Sequence, residues 1–250
     1  MSRAAADGPP RRVTLEIAAF DLASAVDAAR AGADRIELCT GALDGGLTPS
    51  PGLVDAVRAA VDVPLWTMLR PRGGDFAFSP DEHAVMRRDA RWLMAAGIDG
   101  LVWGAALPDG TPDLDALDAL VDATGGAVPI AVHRAFDAAP EPLAALDALA
   151  RRGIVRVLTS GGPTGDAADH VAALARLVAH AETAHGGRIA AMPGGGVRAA
   201  TLPALLASTG AREVHSAARR AIAPGHPHGA PRDALDPDEV RRLGAICHAG

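Results

Sequence analysis

Short apolar runs recur along the chain, separated by longer alanine-rich stretches that read as helices. A repeated junction links the two, with a helical stretch ending in glycine and a β-rich run following. It occurs at Gly32 before Arg35-Ile36-Glu37-Leu38, at Gly97 before Gly100-Leu101-Val102-Trp103, at Gly153 before Val155 to Thr159, and at Gly210 before Glu213-Val214-His215-Ser216. Glycine just past a helix end adopts the left-handed conformation at little cost, so each is a stop signal. A second kind of entry places proline at the head of a strand, Pro64 before Leu65 to Leu69 and Pro129 before Ile130 to His133, where no ladder donor is needed.

Adding Thr14 to Ala19 at the front and Arg188 to Met192 after Gly187 completes a set of eight short strands. Helices are expected around Leu22–Ala31, Pro51–Val61, Asp81–Ala96, Asp113–Thr124, Pro140–Arg152, Asp166–His185 and Ala200–Thr209, with a closing helix near Asp238–His248. Strand-then-helix units of about thirty residues predict the α/β class, as a single (β/α)8 TIM barrel, in preference to an open doubly wound sheet. The expected domain covers residues 13–250, preceded by a flexible leader over 1–12. A mobile loop rich in Pro, Gly and His is expected over 223–237, before the closing helix.

A length of 250 residues fits one such barrel. The formal net charge is −6, and the basic residues, all arginine, are scattered, so neither a nucleic-acid groove nor an anionic membrane patch is expected. No run approaches the roughly 18 apolar residues of a membrane span, and Met1 to Arg12 lack a signal-peptide core. With only two cysteines, Cys39 and Cys247, free thiols and a cytoplasmic location are expected. The oligomeric state stays open, a homo-oligomer included.

Polar residues at the carboxyl ends of barrel strands build sites, and here they interrupt the apolar runs repeatedly. Glu16 and Glu37 have inward parity on neighbouring strands and are candidate acid–base groups, together with His133 and Asp75; each carboxylate could instead be half of a buried pair with Arg35 or Arg70. Arg70 and Arg72 after the third strand, and Arg134 after the fifth, are candidate anion-binding cations. Thr159, Ser160 and Gly161 after the sixth strand could add donors, as could Gly194, Gly195 and Gly196 after the seventh and His215 and Ser216 after the eighth. Glycine-rich turns there commonly cradle phosphate in this fold. Glu37, His133 and Arg70 are expected to converge in one pocket, with Arg70 keeping Glu37 ionised.

Cys39 shares the parity of Glu37, and with Met68 and Met192 it could offer a soft-metal set, since thiolate and thioether favour Cu(I). Methionine in a barrel is nonetheless most often core filling. The pair His226 and His228 lies in an expected loop without a fixed third ligand and reads as solvated surface.

The ordered segments Ala33 to Cys39, Gly45 to Ser50, Arg70 to Phe76, His133 to Asp137, Leu158 to Gly161 and Glu213 to Ser216 resemble the CutC copper-homeostasis proteins. The resemblance runs from about Leu15 to Arg219. It implies a barrel, a cytoplasmic location, a link to copper tolerance and Cys39 as the candidate Cu(I) ligand, making copper the implied cofactor. Members of that family often carry a cysteine just after the first-strand glutamate, whereas Glu16-Ile17-Ala18-Ala19 has none. Two functions follow: copper handling through Cys39, or an enzyme acting on a small anionic, sugar- or sugar-phosphate-like substrate by Glu/His acid–base chemistry.

Overall fold

The computed structural model describes residues 12–222 and 232–249. The leader expected over 1–12, apart from Arg12, and the pair His226 and His228 lie outside the described residues. Strands β1 (Thr14–Ala19), β2 (Arg35–Leu38), β3 (Leu65–Met68), β4 (Gly100–Trp103), β5 (Ile130–Val132), β6 (Arg156–Thr159), β7 (Ala190–Pro193) and β8 (Glu213–Ser216) form one sheet of eight. Helices α1 (Leu22–Arg30), α2 (Pro51–Ala60), α3 (Pro80–Ala95), α4 (Leu114–Thr124), α5 (Pro142–Ala150), α6 (Val171–His185) and α7 (Leu202–Thr209) alternate with them. From β1 to β7 each strand pairs in parallel with the next, and β1 also pairs in parallel with β8. With β7 beside β8 the sheet curls into a nearly closed TIM barrel.

The helices begin where the side chains cap them. Ser79 and Glu82 form a reciprocal capping box at α3, with Pro80 in the first turn, and Asp21 and Ser24 do the same at α1. Helix α6 starts later than expected because Asp166 and Asp169 cap each other around a short 3-10 turn, delaying the helix to Val171. At the other end Gly210 closes α7 at φ 66, a backbone that suits glycine.

Two layers of side chains result. Outward from the strands, Leu15, Ile17, Ile36 and Leu65 join Val54, Leu117, Leu146 and Leu177 of the helices in one apolar shell. Burying each such side chain stabilises the fold by roughly 1.5–3 kcal/mol. Inward, the barrel is polar. Glu16, Arg35, Arg156 and His215 are all buried there, and a smaller apolar cluster of Cys39, Trp66, Met68, Val102 and Ala131 sits beside them.

Of the loop expected over 223–237, residues 223–231 lie outside the described residues, and 232–237 hold a strand and the start of a helix. Strands β9 (Arg219–Ile222) and β10 (Arg232–Leu235) pair antiparallel, and helix α8 (Pro237–Cys247) starts one residue before the expected Asp238. Asp236 caps α8 by accepting hydrogen bonds from the amides of Asp238 and Glu239, and Leu235 is buried, so this end of the stretch is fixed.

Candidate active site

Within the barrel the strand register decides which charges meet. Glu16 stands opposite Arg35 on β2 and His215 on β8, while Glu37 lies one layer higher, opposite Ala18. Arg35 donates from Nε to Glu16 at 2.5 Å and from Nη2 to Glu213 at 2.6 Å, and Arg156 donates to the same Glu213 oxygen at 2.6 Å. Two arginines thus balance two carboxylates in the lower barrel. Met192 is part of this layer, 3.5 Å from Arg35 Nη2.

His215 links the layers, its Nδ1 bonded to Glu16 Oε1 at 2.8 Å and its Nε2 3.9 Å from Glu37. Burial disfavours charge on Glu16, yet Arg35 and the His215 bond outweigh it and hold the carboxyl well below the usual carboxylate range. Burial also opposes a charged His215, but the Glu37 and Glu16 carboxylates prevail and raise it. Among the described residues Glu37 has no guanidinium partner, and burial pushes its carboxyl up despite His215. The expectation that Arg70 keeps Glu37 ionised is therefore overturned. Arg70 turns to main-chain carbonyls instead, those of Asp44, Gly46 and Gly74.

Glu16, Glu37 and His215 bring three ligand-type atoms within 4.8 Å of one another. Both Glu16 oxygens are already taken, Oε2 by Arg35 and Oε1 by His215, so a cation entering there would have to break one of these bonds and sit beside the Arg35 charge. The trio is better built to move a proton than to hold a metal.

A cavity of about 780 Å³ opens at the carboxyl ends of the strands, and Glu37, Arg70, His133 and His215 all line it. His133 ends β5 and caps the next turn, its Nδ1 accepting the Ala135 amide hydrogen at 3.1 Å. That bond places the ring proton on Nε2, an atom with no partner among the described residues. Burial first, and then the Arg70 charge, lower His133 to about 3, so the ring is neutral at physiological pH. Phe76 lies between the two, 5.0 Å from the His133 ring and 4.8 Å from the Arg70 guanidinium. Gly104 makes room for the ring: a Cβ there would stand 2.5 Å from His133 Cε1.

Other candidates are placed differently. Arg72 turns outward to Glu82 at 2.6 Å and to Asp75, whose side chain is 73% exposed, and neither Arg72 nor Asp75 lines the cavity. Glu16 lies beneath the cavity. Thr159 and Ser160 direct their hydroxyls to Asp137, at 2.5 and 3.0 Å, and Gly161 donates to Thr159. Arg134, which lines the cavity, bridges Asp137 at 2.8 Å and Ser160 at 2.9 Å. Ser216 donates to the Val197 carbonyl at 2.8 Å.

The three glycines are not placed alike. The Gly194 amide bonds to the Thr159 carbonyl, and a Cβ at Gly194 would collide with Leu158 of β6. Gly195 and Gly196 line the cavity, but the Asp166 carboxylate packs against Gly196, where its charge opposes an approaching anion. The sequence reading missed Arg198 and Arg219, which line the cavity after β7 and β8, along with Asp137 and Gly104. Position after a strand end was the signal for the two arginines. Asp137 and Gly104 act through contacts that no local pattern shows.

Cys39 is fully buried, 3.7 Å from Glu37. Burial, and next the Glu37 charge, raise its thiol well above the ordinary value. A Cβ at Gly46 would stand 3.2 Å from both Cys39 Sγ and Met68 Cε, so these two sulfur side chains share one neighbour. Met192 belongs to the Arg35 layer, and the expected soft trio is split.

Comparison with known proteins gives a consistent picture. The family model described as CutC family matches residues 13–220. A family protein CutC from Xanthomonas campestris is 45% identical over 209 residues, covering 84% of this chain and 85% of that protein. The human copper homeostasis protein cutC homolog is 43% identical over 205 residues, covering 82% of this chain and 73% of that protein. A crystal structure described as a copper homeostasis protein CutC from Streptococcus agalactiae superposes with a TM-score of 0.77 at 28% identity, covering 82% of this chain and 98% of that one. Phosphoribosyl anthranilate isomerase from Thermotoga maritima, at a TM-score of 0.55 and 11% identity over 94% of this chain and 98% of that one, shares the fold alone.

Proposed function

The chain belongs to the CutC family, and we propose that it works as an enzyme, moving a proton on a small oxygen-rich anionic substrate held in the cavity at the carboxyl ends of the strands. The observation that carries this reading is the state of His133. A neutral imidazole whose buried Nε2–H has no partner among the described residues is a donor for a carbonyl or developing oxyanion that reaches it, and it cannot discharge that role by giving up its proton. Glu37 complements it as the acid–base group, because burial raises its carboxyl above the ordinary value and His215 stands ready beneath it. Arg134, Arg198 and Arg219 around the cavity would favour an anionic substituent. No helix among the described residues is long and apolar enough to cross a membrane, and a cytoplasmic setting suits two buried free thiols.

The test is proton exchange. Small sugar phosphates and hydroxy acids are screened by thermal shift, and each ligand found is incubated with the protein in deuterium oxide and followed by NMR. Exchange at a carbon next to a carbonyl is expected with the native chain and is expected to vanish in Glu37→Gln while binding persists. Exchange that survives in that variant would sink the proposal.

A second reading takes up the copper link named for the human relative. What favours it is the meeting of Cys39 and Met68 at Gly46, one thiol and one thioether for Cu(I). Against it stands the thiol's strong preference for its neutral form. Competition with a chromogenic Cu(I) chelator separates the readings, since a tight stoichiometric site lost in Cys39→Ser would favour copper handling.

A further inference from the structure

On the outer layer of the barrel, away from the cavity, two histidines of one helix converge on an aspartate of the next. His180 and His185 of α6 each place Nε2 2.7 Å from the same atom, Asp147 Oδ1 of α5. The imidazole centroids are 5.8 Å apart with the rings at 75° to each other. One ligand atom from each of the three residues lies within 4.8 Å of the other two. All three side chains are partly open to water, at 27%, 12% and 34% exposure for His180, His185 and Asp147.

We propose that Asp147, His180 and His185 form a binding site for a borderline divalent transition-metal ion of the Zn(II) type, clipping α5 to α6. Two imidazole nitrogens and one carboxylate oxygen are the donor set such ions take, and partial exposure leaves water to complete the shell. Cu(I), which prefers sulfur, and Mg(II), which prefers an all-oxygen shell, fit it poorly. The present hydrogen bonds already gather the donors. Inserting the ion requires each ring to move its Nε2 proton to Nδ1 or to solvent, and each Nε2 to part from Asp147 Oδ1 to the roughly 3.3–3.6 Å spacing set by tetrahedral metal–ligand bonds of about 2.0–2.2 Å. Competition for Asp147 is small, since Arg152 at the end of α5 is engaged by Asp118 and Arg212 takes Glu182. This site shares no residue with the cavity and does not depend on the proposed activity.

Calorimetric titration of the metal-free full chain with zinc chloride is the test, read together with the melting temperature. One equivalent is expected to bind and to raise the melting temperature. Asp147→Ala and the double variant His180→Gln/His185→Gln are each expected to weaken binding at least tenfold. Glu37→Gln, Cys39→Ser and His226→Gln/His228→Gln should leave it unchanged. Circular dichroism checks that each variant folds. If one does not, the imidazole 15N resonances of the native chain decide, since those of His180 and His185 are expected to shift on zinc addition. No zinc binding by the native chain, binding unchanged in the Asp147 and histidine variants, or zinc-dependent shifts confined to other histidines would each overturn the proposal.

Discussion

Arg35 and Glu16 meet at 2.5 Å inside the barrel, where both side chains are at least nine-tenths buried. Removing one charge of such a pair leaves the other without compensation, which typically costs about 3–5 kcal/mol. Glu16→Gln is therefore expected to lower stability by that order in urea denaturation at pH 7. A loss under about 1 kcal/mol would show that Glu213 alone satisfies Arg35.

Replacing Glu37 should do the opposite. Its carboxyl is pushed up by burial and has no guanidinium partner among the described residues, so a neutral amide removes a charge the fold resists. In Glu37→Gln stability at pH 7 is expected to hold or rise. A loss of several kcal/mol would assign Glu37 a structural ion pair with His215.

Acid should act through His133. Its folded value is lowered to about 3 from 6.5, so as pH falls between these values the unfolded chain takes a proton that the fold refuses. Stability that is complete above pH 6.5 is then lost at up to about 1.4 kcal/mol per pH unit. Glu37, raised by burial, acts in the other direction above pH 4.5. The comparison to measure is thus native against His133→Gln, whose stability curves are expected to converge as pH falls from 6.5. Parallel curves would refute a neutral buried ring.

Gly104→Ala should disturb the same ring. The added Cβ would meet His133 Cε1 at 2.5 Å, and overpacking of this kind typically costs about 1–3 kcal/mol. The proposed proton exchange should fall with it, while Gly52→Ala, where nothing lies within 4 Å of the added Cβ, is the control.

Neither thiol should react in the folded chain. Cys39 and Cys247 are both buried, and burial pushes Cys247 up to about 12. A thiol-reactive disulfide reagent at pH 8 is expected to label both only after denaturation. Rapid labelling of the native chain would mean that Cys39 is open to the cavity and available to copper.

The barrel was legible in the chain because its cause is local. Gly97 ahead of β4 and Pro64 ahead of β3 act through backbone conformation at single residues, and the parity of Glu37 against Ile36 and Leu38 follows from the strand period of two. Those signals named the strands, the site's face and the residues Glu37, Arg70 and His133 that line the cavity. Parity does not say how far one strand slides past the next. That stagger, fixed only when the sheet closes, set Glu16 against Arg35 and left Glu37 a layer above it, facing His215 rather than a guanidinium. The sequence determined which side chains enter the barrel. Tertiary structure alone decided which charges are neutralised there, because a buried group's protonation depends on neighbours brought from distant parts of the chain: His215 to Glu16, Arg70 and Gly104 to His133, and Asp137 to the hydroxyls of Thr159 and Ser160.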